Sequence, residues 1–157
     1  MPVRRADRLQ RTHFALLQSR PEGLPLRIAR TLPPGAGVGA NWTLAQRLPT
    51  LIPAAWAVPG RGYLCLVEDP PGGSVGLSCT PTGYVLKQGT YSASVPPHNQ
   101  PRPRTRVIVG LAPDGVPKVL IHTGGSHPQS SWVTQNTFVL EDESTRAPES
   151  VELVRSG

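Results

Sequence analysis

The sequence predicts a mainly β protein: a single compact β-sandwich or small open barrel, preceded by a short helical N-terminal extension. Three observations predict it. Short apolar, β-branched runs recur along most of the chain, each bounded by turn residues. The 19 Pro and 16 Gly fall between those runs and are too many for a helical protein. Cys65 and Cys79 stand at matching distances from a Pro70-to-Ser74 turn, so two antiparallel strands would bring them opposite each other. A chain of 157 residues normally forms one domain and buries roughly two-thirds of its surface.

The charge is uneven. Residues 1–61 hold nine Arg and two acids, a balance of +7, whereas residues 62–157 hold seven basic and eight acidic side chains, a balance of −1. Arg outnumbers Lys 14 to 2 beside abundant Ala, Pro and Gly, which reads as the codon supply of a GC-rich genome. We divide the chain into a basic, partly helical extension with a Pro/Gly linker (1–39) and a β-rich domain (40–157). A basic extension is either a solvated tail or a contact for nucleic acid or an anionic surface. No run approaches the ~20 apolar residues of a membrane span. Arg4, Arg5, Arg8 and Arg11 would suit the charged start of a signal peptide, but the apolar group after them, Phe14-Ala15-Leu16-Leu17, is far too short.

Residues 6–18 predict a short helix with Leu9, His13, Leu16 and Leu17 on one side, ended by Pro21 and Gly23. Pro33 to Gly39 reads as the linker. Asn41 predicts a helix cap for 42–48, ended by Pro49. Asn41-Trp42-Thr43 fits the glycosylation pattern, which we treat as coincidence in a chain of bacterial composition. Strands are expected over 54–58, 63–67, 75–80 and 91–95. A helix is expected over 81–88, with Thr80 as N-cap, Pro81 at its first position and Gly89 as its stop.

Residues 105–122 look like the core. Val107, Ile108, Val109 and Leu111 form one apolar run and Val119, Leu120 and Ile121 another. Pro113, Asp114 and Gly115 between them suit a three-residue hairpin turn with a bulge at Gly115. That register sets Val109 opposite Val119 and Ile108 opposite Leu120, with both runs buried on both faces. Strands over 131–134 and 137–141, broken near Asn136, and a closing edge strand over 150–155 complete the set.

With the turn at residues 70–74, Val67 faces Leu77 and Cys65 faces Cys79. Opposed residues of paired strands lie ~4.5–5.5 Å apart, within disulfide range. A Cys65–Cys79 bridge implies an oxidising compartment; the alternative is two reduced thiols packed as small apolar residues.

Trp56-Ala-Val-Pro-Gly60, Tyr63-Leu-Cys-Leu66, Ser78-Cys-Thr-Pro81 leading to Gly89, Val109-Gly-Leu-Ala-Pro-Asp-Gly-Val116, and Val133-Thr-Gln-Asn136 leading into Phe138-Val139 resemble a group of uncharacterised β-rich actinobacterial proteins. The resemblance spans about residues 40–155. It implies an extracytoplasmic envelope or secreted domain of no assigned activity, so no functional residue carries over. This chain departs from it in showing no membrane segment.

Gly76-Leu-Ser-Cys-Thr-Pro81 also resembles the catalytic-cysteine strand of sortases, β-barrel transpeptidases. Such a site needs an upstream His and a downstream Arg. Here the downstream position offers Lys87, which lacks the guanidinium fork, and the upstream His is His13, in the extension. Cys65 would also compete for Cys79.

Among the remaining polar groups, His122 and His127 flank Thr-Gly-Gly-Ser without further ligands nearby, and His98 stands apart, so they read as loop histidines and no metal is expected. Asp114 is explained by turn chemistry. Gly124-Gly125-Ser126 is followed by neither Lys nor a helix and is no phosphate loop. Arg102, Arg104 and Arg106 alternate with Pro101, Pro103 and Thr105 and read as a charged, proline-blocked strand edge. Trp42, Trp56 and Trp132 are expected as core or half-buried packing residues. The expectation is therefore a non-catalytic structural or interaction module of the bacterial envelope, with no cofactor. The sequence names no partner; an envelope protein or an anionic surface is the candidate contact. The alternatives are a nucleic-acid or anionic-surface binder acting through the basic N-terminus, and a sortase-like enzyme at Cys79.

Overall fold

The structure, a computed structural model, describes residues 1–51, 53–94, 106–124, 127–142 and 148–156. Among them ten strands form three antiparallel sheets that do not close into a barrel, so the fold is a mainly β sandwich with a short N-terminal helix. The first sheet is β1 (Gln46–Arg47), β2 (Ala54–Pro59), β3 (Tyr63–Asp69) and β4 (Gly76–Pro81), in that order. The second runs β5 (Thr90–Ser94), β6 (Arg106–Leu111), β9 (Thr137–Asp142). The third runs β10 (Ser150–Val154), β7 (Lys118–His122), β8 (Gln129–Trp132).

Strand alternation explains how the sheets stack. One face of the first sheet presents Trp56, Val58, Cys65 and Val67 to Ile28, Ala40 and Ala45 of the N-terminal segment. Its other face presents Ala55, Ala57 and Leu66, which with Leu48 meet Val109 and Leu111 of β6. The opposite face of β6 carries Ile108, which joins Phe138 in meeting Val119 and Ile121 of β7. The β5–β6–β9 sheet is thus the middle layer, and β6 is its central strand. That is why Ile108, Val109 and Leu111 are all buried although they alternate in direction.

The central hairpin read from the sequence does not form. β6 pairs with β5 and β9, and β7 pairs with β8 and β10, so Val109 lies between Ser92 and Val139 and Val119 lies between Leu153 and Ser131. Both edges of β6 are filled by distant strands, and the 112–117 connection carries the chain into another sheet. The N–H of Ala112 donates to the carbonyl of Asn136 at 2.9 Å, not to β7, and Pro117 has no N–H to give. β7 is buried on one face only: Val119 and Ile121 point inward while Leu120 is half-buried on the other side.

Residues 1–39, expected as an extension and linker, form an N-terminal layer packed on both sides of the first sheet, with Ile28 on the Trp56–Cys65 face and Phe14 and Leu16 on the side of Leu64 and Leu66. α1 (Arg8–His13) starts at a capping box, with the Asp7 carboxylate accepting from the N–H of Gln10 and the Gln10 side chain accepting from the N–H of Asp7. The expected stripe of Leu9, His13, Leu16 and Leu17 is not one helical face. Phe14 is extended, at φ −132°, and Ala15–Gln18 is a separate 3₁₀ turn. The extended residue lets Phe14 bury against Leu64 and Val85, while Leu9 is left exposed. Gln10 is wholly buried, its Nε2 donating to the carbonyls of Gly60 (3.1 Å) and Tyr63 (2.9 Å) and to Thr82 Oγ1 (3.2 Å). α2 (Leu26–Ala29) buries Ile28. Pro33–Gly39 is also packed, since Gly39 accepts from the N–H of Val3 and Val38 from that of Arg61.

The helix expected over 42–48 is a single 3₁₀ turn, Trp42–Leu44, capped by the Asn41 side chain. Its continuation is stretched instead into β1, where Arg47 pairs with Trp56 of β2 and its guanidinium stacks 5.0 Å from the ring centroid. The Asn41 amide also donates to the carbonyl of Val3, a structural use for this asparagine. α3 (Thr82–Gln88) ends where expected, at Gly89 with φ +71°, although Pro81 rather than Thr80 holds the N-cap position.

Candidate functional site

Cys65 and Cys79 are directly opposed across β3 and β4, as are Val67 and Leu77, the register read from the sequence. They are joined by a disulfide, with Cα atoms 4.0 Å apart. Cys65 is fully buried and both sulfurs pack beneath the N-terminal layer in the cluster of Ile28, Trp56 and Val67. No free cysteine remains. A sulfur in this bond has no thiolate to offer, so a nucleophilic Cys79 would first require reduction.

Asp114 and Gly115 form a turn, with Gly115 at φ +84°, but it joins two sheets and holds the N-terminal layer, where Pro113, Asp114 and Gly115 were expected to close a hairpin. Asp114 Oδ1 accepts from the N–H of Ala15 (3.1 Å) and from Asn136 Nδ2 (2.9 Å), and the N–H of Asp114 donates to the carbonyl of His13 (2.7 Å). Asn136 is buried. Its Oδ1 accepts from the N–H of Leu16 (3.0 Å) and its Nδ2 also donates to the carbonyl of Ala112 (3.0 Å). Gln135 and Asn136 both have positive φ, 49° and 61°, and make the tight turn between β8 and β9 that aims this side chain inward. Three distant segments therefore meet at two short polar side chains. The arrangement is a clamp: Asp114 Oδ1 is occupied by the Ala15 N–H and the Asn136 amide, and the His13 carbonyl accepts from the Asp114 backbone N–H.

Beside the clamp lies a cleft of about 380 Å3, with Leu16, Pro113, Val116 and Val133 as its apolar walls and Asp114 and Gln135 as its polar groups. The sequence named Asp114 but not Asn136, whose signal was confined to a break between two strands.

The basic N-terminal residues lie on the N-terminal layer. Arg4, Arg5 and Arg8 are exposed and Arg11 is half-buried. Among the described residues Arg27 pairs with Asp69 at 3.1 Å and His122 meets Glu152 at 3.3 Å, while these four arginines have no carboxylate within ion-pair distance there. Glu68 was missed by the sequence reading, although alternation puts it on the same face as Leu64 and Leu66. It is 2 % exposed, and its Oε1 has no hydrogen-bond partner. Burial, and then the charge of Tyr84, raise the Tyr91 hydroxyl above its ordinary pKa. Tyr91 donates to the carbonyl of Pro148 at 3.2 Å.

Trp132 is not the packing residue expected. It is 74 % exposed on the outer face of the third sheet, opposite Lys118, whose Nζ lies 5.9 Å from the ring centroid. His122 pairs with Glu152, and no group of three or more His, Cys, Asp or Glu comes together among the described residues. His98, Arg102, Arg104, Gly125 and Ser126 lie outside the described residues; Arg106 sits in β6 opposite Asp142. Among the described residues no helix is long and apolar enough to cross a membrane. No protein-family model matches the chain, and no curated protein or solved structure is significantly similar to it.

Proposed function

We propose that this protein is a non-catalytic, disulfide-braced interaction module of the bacterial cell envelope, of the kind its sequence resembles in actinobacteria. The observation that carries the reading is the Cys65–Cys79 bond, made by the only two cysteines and set in a covered apolar cluster. A bond of this kind belongs to an oxidising compartment, because cytosolic thiol buffers keep such pairs reduced. The polar side chains of the clamp are occupied in joining segments, which supports a scaffolding role over a chemical one.

The contact surface in this reading is the arginine-bearing outer side of the N-terminal layer, and its partner is anionic. Deleting residues 1–35 would not test that contact, since it would also remove Gln10, Phe14 and Ile28 from the interior. The envelope location is tested on intact native cells with an amine-reactive label that cannot cross a membrane. Lys87 is exposed on α3 and is the expected point of modification. The reading predicts that Lys87 is labelled on whole cells as fully as after lysis. Labelling that appears only after lysis would contradict a location outside the cytoplasmic membrane.

A further inference from the structure

The clamp leaves half of the Asp114 carboxylate unused. A carboxylate has two oxygens and about four places for donors. Oδ1 takes both clamp bonds, from the N–H of Ala15 and from Asn136 Nδ2, and no partner meets Oδ2 among the described residues. Asp114 is exposed and Oδ1 is the oxygen turned inward to the clamp, which leaves Oδ2 on the open side, where Asp114 lines the cleft of about 380 Å3. Among the described residues it is the one charged residue of that lining, and no basic side chain pairs with it.

Gln135 lines the same cleft, and its exposed amide has no hydrogen-bond partner among the described residues. It holds the first of the two left-handed positions between β8 and β9, at φ 49°. Such turns favour Asn or Gly there, and other side chains enter the left-handed region at a cost. Residues held against local preference gather at ligand sites. Asn would suit the turn better; what Gln adds is a longer reach over the cleft. Leu16, Pro113, Val116 and Val133 supply the apolar walls. A lone acid beside such walls favours an organic cation. An ammonium N–H makes a charge-assisted hydrogen bond to the carboxylate, and an aliphatic group attached to it covers the walls. The clamp fixes Asp114 before a ligand arrives, so little ordering is lost on binding.

We propose that this cleft binds a primary ammonium carried on a small aliphatic group. Asp114 Oδ2 accepts one ammonium N–H, Gln135 Oε1 accepts a second, and Leu16, Val116 and Val133 flank the aliphatic part. The same chemistry is offered by a free amine and by the apolar N-terminal residue of another chain. The site does not depend on where the protein resides, and its failure would leave the envelope reading untouched.

The test is a titration of the isotopically labelled full chain at mildly acidic pH, where both amines are protonated, followed by backbone amide shifts. The probes are isobutylamine, leucinamide, isobutanol and isobutyrate. Saturable shifts with an amine around Leu16, Asp114, Val133 and Gln135, and none with isobutanol or isobutyrate, are expected. The tighter binder of the two amines tells a free amine from a chain terminus. Asp114→Asn keeps an oxygen for both clamp bonds and removes the charge, so it should weaken binding about tenfold or more, the loss of a hydrogen bond to a charged group. Gln135→Asn should weaken binding and raise the thermal midpoint together, because Asn suits the turn and falls short of the ammonium. Equal binding of isobutanol would reduce the site to an apolar hole, equal binding of isobutyrate would show that charge plays no part, and no response to either amine would remove it. Each of these overturns the proposal, as does undiminished binding in either variant, and the first three are read on the wild-type chain even where a variant does not fold.

Discussion

Cys65→Ala with Cys79→Ala lowers the free energy of unfolding by about 3 kcal/mol, the loop-closure contribution of a bridge this short. The bridged residues are 14 apart in sequence, and the bond ties together neighbouring strands that already share a ladder. What it adds is a restriction on the unfolded chain. Removing the sulfurs also takes apolar volume from the cluster formed with Ile28, Trp56, Val58 and Val67, which adds to the loss. Urea unfolding of the oxidised wild type and the double variant gives the difference from their midpoints. Reduced wild-type protein should fall between them, because it keeps the volume and loses the constraint. A loss well under about 1 kcal/mol would mean that the bridge contributes little to the folded state.

Gly110→Ala is expected to cost about 3 kcal/mol, the upper end of overpacking costs. Gly110 lies opposite Phe138 in the β6–β9 ladder, and the phenyl ring folds over the glycine. A Cβ at residue 110 would fall 2.0 Å from Phe138 Cζ and 2.5 Å from Cε1 and Cε2. The ring has nowhere to retreat, being fully buried among Ile108, Val119 and Ile121. Phe138→Leu removes the ring and should recover part of the loss. In a double-mutant cycle, Gly110→Ala with Phe138→Leu is therefore more stable than the sum of the single changes requires. Strict additivity would show that the ring and the glycine are not in contact. The glycine is needed here for space, and its backbone freedom is not at issue.

How much of this was legible depended on the range of the interaction. The Cys65–Cys79 register was readable because one turn, 70–74, fixes it locally. The end of α3 at Gly89 was readable for the same reason. The turn at Asp114 and Gly115 was identified, but its use was not. Whether β6 pairs with β7 is decided by Thr90–Ser94 and Thr137–Asp142, which compete for the same edges from far away in sequence. The N-terminal layer was hidden by its composition. Phe14 and Ile28 stand in short apolar groups, Phe14-Ala15-Leu16-Leu17 and Leu26-Arg27-Ile28-Ala29, too irregular to show which residue is buried, and Gln10 is a polar side chain buried because three distant acceptors await its amide. Periodicity carries no trace of such acceptors. The same limit explains Asn136, whose role exists only once Ala112, Asp114 and Leu16 are brought to it. Trp132 erred the other way: its ring suggested the interior, while the alternation of a short strand points it outward beside Lys118.

The central claim is that the Cys65–Cys79 bond braces this protein where it lives, and the most direct measurement is the redox state of those two residues in native cells. Acid-quenched cells are denatured and alkylated with and without prior reduction, and the intact chain is weighed. The account predicts no alkyl group without reduction and two after it. Two alkyl groups without reduction would place the protein among reduced cytosolic chains, remove the brace, and return Cys79 to consideration as a free thiol.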